Sequence, residues 1–374
     1  MSFDLRLGKK WGLRRMATPA GHFTMVAMDQ RPPILNLIAK TLGIGVDEVR
    51  FADVVAVKRV LAESLGEHAS AMLFDPNYCF PAALEKLPAR TGLVVTLEDH
   101  RFEDLPGGRK SHSIRDWSVE KIKRAGGDGV KVLAWFRPDA DPEIVAYQKR
   151  YVETIGAECR RNDIAMVLEL LVYPFAKSAR HTADYVESPD KVPELVLGSV
   201  REFVHPRYGV DLLKLESPLP GSTLPVRDGS AGQMRAQQWF DEMGGICRDA
   251  GIPWVMLSAG VTPSQFVRVM EYAYSAGANG FWPAAPSGGT PCSIFRIWKN
   301  SQHNCASRAA SLCVNWMRLH CAQGSHGTRT TLRSIASRQK EICVRPMSER
   351  CARRSVALIR IQALAGDRVT RQCY

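Results

Sequence analysis

Four charged side chains interrupt apolar runs that otherwise read as buried strands. They are Asp29 in "FTMVAMD", Lys131 in "GVKVLAWF", Glu169 in "AMVLELLVY" and Lys214 in "DLLKLE". Lysine and glutamate are rarely fully buried without a partner, and burying an isolated charge is costly. Each of the four, taken alone, also fits a structural role on a sheet edge or in a buried ion pair. Four together on four different strands fit that role badly, because buried Lys–carboxylate pairs often only break even against apolar packing. A desolvated lysine shifts its pKa readily, and its neutral amine attacks carbonyl carbon. A second ammonium nearby lowers that pKa further, and Lys131 supplies one. Glu169 supplies a carboxylate to move protons while a carbinolamine loses water. The set suits Schiff-base chemistry on a ketone, with Lys214 as nucleophile and with neither metal nor organic cofactor.

Those residues need a scaffold that brings strand ends together. Apolar, β-rich runs at 23–29, 70–75, 92–98, 129–136, 165–173, 211–216 and 253–260 alternate with amphipathic segments. An eighth run begins at "GANGFW". "DPEIVAYQKRYVETIGAECRRN" opens with Asp-Pro, a helix-entry signal, and "ADVVAVKRVLAESLG" closes on Gly66. Near-continuous apolar strands between helices imply a parallel sheet covered on both faces. Eight such units in about 280 residues fit a (β/α)8 TIM barrel. A doubly wound open sheet would place a glycine-rich turn after its first strand, where this chain reads "MDQRPP". In a barrel, chemistry gathers at the carboxyl ends of the strands. There stand Asp29-Gln30-Arg31, Lys131, Glu169, Lys214 and Ser258-Ala259-Gly260. Backbone N–H groups in the last of these turns suit phosphate oxygens.

The net charge of +12 suggests a nucleic-acid partner until it is located. Residues 282–374 hold 15 Lys and Arg against 3 Asp and Glu, which leaves residues 1–281 with no net charge. Seven of the ten cysteines also lie in that last quarter, without a CxxC pair. The basic residues there are scattered rather than clustered, so nucleic acid is not the expected partner. No run approaches roughly 18 uncharged apolar residues, and no membrane span is expected. The start, "MSFDLRLGKKWGLRRM", has no apolar core of the kind a secretory leader needs. We expect a cytoplasmic protein. Self-association into a homo-oligomer is compatible with the sequence. "PGGRKS" at 106–111 lacks full phosphate-loop spacing and reads as a mobile loop above the site, from which Arg109 or Lys110 could approach substrate. "SARHTADYVESPDKVP" reads as a cover over the barrel mouth, with His181 an exposed loop residue. The histidines form no metal-binding spacing.

The stretches "VAMDQR", "GVKVLAWF", "VLELLVY", "DLLKLESPL" and "VMLSAGV", in this order over residues from about 20 to 281, resemble class I tagatose-1,6-bisphosphate aldolases and the related sulfofructose-phosphate aldolases. The resemblance implies a TIM barrel acting on a small-molecule sugar phosphate. It implies that Lys214 forms the Schiff base and that Glu169 forms and dehydrates the carbinolamine. Lys131 then orients the Schiff base, and Asp29 takes the hydroxyl proton during carbon–carbon cleavage. Gln30, Arg31 and the Ser258–Gly260 turn become substrate-binding positions. A sulfofructose-phosphate or inositol-pathway substrate on the same fold is the alternative. An inactive or nucleic-acid-binding protein using the basic tail is the alternative of another class.

The resemblance stops at residue 281. Relatives of this type continue with Leu-Ala-Gly-Arg-Ala, whereas this chain reads Trp-Pro-Ala-Ala-Pro-Ser-Gly. Loss of one C after the TTC codon of a gene encoding Phe-Leu-Ala-Gly-Arg-Ala-Ile-Trp gives Phe-Trp-Pro-Ala-Ala-Pro-Ser-Gly, residues 281–288, without a mismatch. From Trp282 to Lys340 there is no acidic residue at all. We therefore expect two regions. Residues 1–281 form the barrel body, and 282–374 form an out-of-frame tail that lacks the phosphate-binding arginine. The barrel is then expected to be incomplete at its eighth unit, unstable and weakly active.

Overall fold

Eight parallel strands close into a barrel in the computed structural model, which describes residues 6–183 and 185–283. The strands are β1 (Phe23–Ala27), β2 (Ala71–Phe74), β3 (Gly92–Thr96), β4 (Gly129–Trp135), β5 (Ala165–Leu171), β6 (Leu212–Leu215), β7 (Trp254–Leu257) and β8 (Gly280–Trp282). They run around the barrel in sequence order, and β8 pairs with β1 to close the ring. Around the barrel pack α2 (Pro32–Leu42), α3 (Phe51–Leu65), α4 (Cys79–Ala83), α5 (Val119–Arg124), α6 (Pro142–Arg161), α7 (Pro193–Phe203), α8 (Ala231–Ala250) and α9 (Pro263–Ser275).

The expected incomplete eighth unit is corrected for its strand. Gly280, Phe281 and Trp282 pair with Val255, Met256 and Leu257 on one side, and Gly280 and Phe281 pair with Phe23 and Thr24 on the other. Ladder bonds belong to the backbone and need no particular side chain. Trp282 is also apolar enough to be fully buried among the side chains inside the barrel. Residues 284–374, and with them the frameshift reading and the expected tail, lie outside the described residues.

Why the strands look apolar throughout follows from the two cores. Met25, Ala27, Leu73, Val94, Val167, Leu212 and Val255 fill the barrel interior. Alternate residues such as Val26, Met72, Val95, Leu168, Leu213 and Met256 pack outward into the layer beneath the helices. Strands wet on neither face lose the hydrophobic–polar alternation. The helices follow the signals in their sequences. Asp141 caps α6, its side chain accepting from the Glu143 N–H at 2.9 Å, and Pro142 takes the first turn. Thr262 and Gln265 form a capping box at α9.

The amino end of the barrel is shut by α1 (Leu7–Met16), which the sequence reading had considered only as a leader. Its Lys9 is buried and bonds the Asp211 carboxylate at 2.6 Å. Met16 enters the interior core. The opposite, carboxyl end is left open for chemistry.

Candidate active site

At the carboxyl end the inward positions of the strands turn from apolar to charged. Register sets the key neighbours: Glu169 on β5 lies opposite Lys214 on β6, and Lys131 on β4 lies opposite Val167. That register places the three side chains within contact of one another at the carboxyl end. The Glu169 carboxylate spans both amines, with Oε1 2.9 Å from Lys214 Nζ and Oε2 2.7 Å from Lys131 Nζ. Lys131 also pairs with Asp29 at 3.2 Å and, more closely still, with Glu98. Glu169 is 0 %, Lys131 1 %, and Lys214 and Glu98 each 4 % exposed, while Asp29 is only partly buried.

Burial opposes charge on Lys131, but Glu169, Glu98 and Asp29 outweigh it and hold the ammonium pKa well above its ordinary value. Burial likewise opposes ionisation of Asp29, and the field of Lys131, Lys214, Arg31 and Lys58 overcomes it, so its carboxyl lies below the usual range. Lys131 is thus a standing cation and Asp29 a standing carboxylate. Behind Asp29, the fully buried Lys58 donates to the Met28 carbonyl at 2.7 Å and pairs with Asp75, which fixes the end of β1.

Asp29, Gln30, Arg31, Lys131, Lys214 and Ser258 all face one cleft, as the sequence expected. Glu169 does not line its wall and sits enclosed between the two lysines. Arg31 is 4 % exposed. Its Nη2 donates to the Glu98 carbonyl at 3.2 Å, while Nε and Nη1 have no hydrogen-bond partner. Gln30 Oε1 is also buried and unpartnered. Ala259 and Gly260 follow Ser258 away from the cleft wall; both have positive φ, 42° and 77°, which makes the turn after β7 sharp. The loop after β5 contributes Ala183 and Tyr185 to the cleft, matching the expected cover. The Tyr185 ring centroid lies 5.9 Å from Lys214 Nζ.

Arg109 is a correction. It does not reach the cleft from a mobile loop. It belongs to a hairpin of Glu103–Leu105 and Gly108–Lys110 and is fully buried. Phe102, Trp135 and Tyr173 surround its guanidinium at 4.4, 4.9 and 5.1 Å. It bonds Asp104 and the Thr182 carbonyl, and Asp104 also holds His181 at 2.5 Å. The hairpin thereby anchors the cover rather than the substrate.

Two residues of the site escaped the sequence reading. Glu98 stands just past β3 in "TLEDH", a charged end to an apolar run of the same kind as "AMDQ". That signal could have found it. Trp282, which the sequence offers both as the end of the eighth run and as the start of an out-of-frame tail, lines the cleft with its ring centroid 5.3 Å from Lys214 Nζ.

Residues 23–283 match the family described as DeoC/LacD family aldolase. The chain is 33% identical over 270 residues to the tagatose 1,6-diphosphate aldolase of Listeria monocytogenes serotype 4b (strain CLIP80459), covering 71% of this chain and 76% of that protein. It is 27% identical over 343 residues to tagatose 1,6-diphosphate aldolase 2 of Enterococcus faecalis (strain ATCC 700802 / V583), covering 89% and 96%. Among solved structures, the fold resembles a fructose-bisphosphate aldolase from Slackia heliotrinireducens DSM 20476, with TM-score 0.53, 14% identity and coverage of 84% and 93%. An archaeal fructose 1,6-bisphosphate aldolase gives TM-score 0.52 at 14% identity, covering 83% and 98%.

Proposed function

The chain belongs to the DeoC/LacD aldolase family, and from that premise we propose that it cleaves a ketohexose bisphosphate of the tagatose 1,6-bisphosphate type through a Schiff base on Lys214. The products are dihydroxyacetone phosphate and glyceraldehyde 3-phosphate. The observation that carries this reading is the Glu169 carboxylate bridging two buried amines. One amine must lose its proton to become a nucleophile, and a carboxylate 2.9 Å away can take it.

The steps follow from the positions. Lys214 Nζ attacks the substrate ketone as its proton passes to Glu169. Glu169 returns a proton to the carbinolamine hydroxyl, which leaves as water. Lys131 stays charged and holds Glu169 and Asp29 in place. The iminium draws electrons from the C3–C4 bond while Asp29 accepts the C4 hydroxyl proton. The aldehyde departs, and the enamine is protonated and hydrolysed. Arg31 presents unpartnered N–H groups at Nε and Nη1, charged donors of the kind that bind phosphate oxygens. It supplies anion binding at the cleft, which Ser258 also lines.

The test is turnover of tagatose 1,6-bisphosphate by the full chain in EDTA, read by coupled reduction of dihydroxyacetone phosphate. Cleavage by the wild type, lost in a folded Lys214→Met variant, supports the reading. Cleavage that survives Lys214→Met, or that EDTA abolishes, overturns it.

A further inference from the structure

One proton in that sequence has no assigned donor: the one that the enamine carbon, C3, takes up after cleavage. Glu169 is committed to the two amines and lies behind them. Asp29 has just received the C4 hydroxyl proton. The third carboxyl on Lys131 is Glu98. The chain carries it there by following β4 past the end of β3, with the Leu97 N–H donating to the Lys131 carbonyl at 2.9 Å. Its Oε1 accepts from Lys131, and the residue itself stands on the cleft wall.

Asp29 and the buried Glu98 crowd onto one ammonium, and two carboxyls so placed are relieved when one of them holds a proton. We propose, building on the Schiff-base reading, that Glu98 is the acid that protonates the enamine at C3, and the base that removes this proton in the condensation direction. Its surroundings agree. Burial raises its pKa, Lys131 opposes this, and the Asp29 charge adds to the rise. Asp29 is shifted the other way. Two carboxyls on one lysine with opposed shifts divide the roles of acid and base.

The balance closes. The C3–C4 electron pair enters the enamine as the aldehyde leaves. The enamine double-bond pair then forms the C3–H bond with the Glu98 Oε2 proton, and the nitrogen lone pair restores the iminium. Glu98 is left ionised and Asp29 protonated. Asp29 and Glu98 both line the cleft, so Asp29 releases its proton to water there and Glu98 Oε2 takes one up from it, while Lys131 stays an ammonium. Water then hydrolyses the iminium.

The experiment separates carbon protonation from imine formation. The full chain is incubated with dihydroxyacetone phosphate in D2O, and deuterium at C3 is followed by NMR. In parallel, borohydride trapping of the same ketone is read by mass spectrometry. Glu98→Gln is expected to slow exchange at least 100-fold while trapping at Lys214 is unchanged. Glu98→Asp, whose carboxyl is one methylene short, serves should the first variant not fold, and is expected to slow exchange at least 10-fold with trapping intact. Asp29→Asn is expected to lose cleavage of the bisphosphate and keep the exchange. Wild-type exchange in either Glu98 variant overturns the assignment. So does parallel loss of exchange and trapping, which would place Glu98 in imine formation. No trapping in the wild type removes the Schiff-base premise itself.

Discussion

Replacing Lys131 with methionine tests the electrostatic design of the site most sharply. The change keeps the length of the side chain and deletes the one cation that three carboxylates share. At an effective dielectric of about 20, attraction is roughly 6 kcal/mol at the 2.7 Å of Glu169 and roughly 5 kcal/mol at the 3.2 Å of Asp29. Desolvation of the ions offsets most of this, and removing one partner of a buried pair leaves a net loss of about 3–5 kcal/mol. The loss depends on pH with a definite sign. Asp29, depressed in the folded wild type, contributes stability above its unfolded pKa of 3.8. Without Lys131, the largest of the four cations that depress Asp29, burial gains on the rest, and the carboxyls that shared it bind protons in the folded state that the unfolded chain has released. The variant therefore loses stability as pH rises. Urea unfolding of wild type and Lys131→Met should give a difference of about 3–5 kcal/mol at pH 8. At pH 5 it should be smaller by at least about 1 kcal/mol, the worth of less than one pKa unit. A difference below about 1 kcal/mol at pH 8, or an equal one at both pH values, would refute the reasoning.

Three further outcomes follow. Arg31→Gln should raise KM for the bisphosphate about 10- to 100-fold with kcat nearly kept, the worth of a charged hydrogen bond; an unchanged KM removes Arg31 from anion binding. Burial pushes the Glu216 carboxyl up to about 7 against the pull of Lys191, so the folded chain keeps a proton that the unfolded chain releases near 4.5. Its contribution is full below pH 4.5 and gone above pH 7, a fall of about 3 kcal/mol across that window. Unfolding measured from pH 4.5 to 7.5 should show that fall reduced in Glu216→Gln, and an identical slope contradicts the shift. In α6, a Cβ on Gly156 would lie 1.8 Å from the Tyr208 carbonyl oxygen. Gly156→Ala should cost about 3 kcal/mol through overpacking, seen as a lower urea midpoint.

Most of the barrel and four of its charged residues were legible because a charge inside an apolar strand is a strong local signal. Asp29, Lys131, Glu169 and Lys214 each break such a run, and the ring brings them together. What was not legible depends on contacts far apart in sequence. Lys9 looked like part of a basic terminus until Asp211, 202 residues away, gave it a partner. Arg109 looked like a loop cation because nothing nearby announces the cage of Phe102, Trp135 and Tyr173. Glu98 differs from these: it closes the run 92–98 as Asp29 closes 23–29, a legible signal that was passed over. Trp282 was judged by its mismatch to related sequences, whereas a strand needs only a backbone and a buried apolar face.

The central claim is that the Lys214 amine captures a ketone carbon. Dihydroxyacetone phosphate and borohydride, followed by peptide mass mapping of the folded full chain, address it directly. The account predicts one reduced adduct, on the peptide that carries Lys214. An adduct on Lys131 instead, or none on a folded chain, would contradict it.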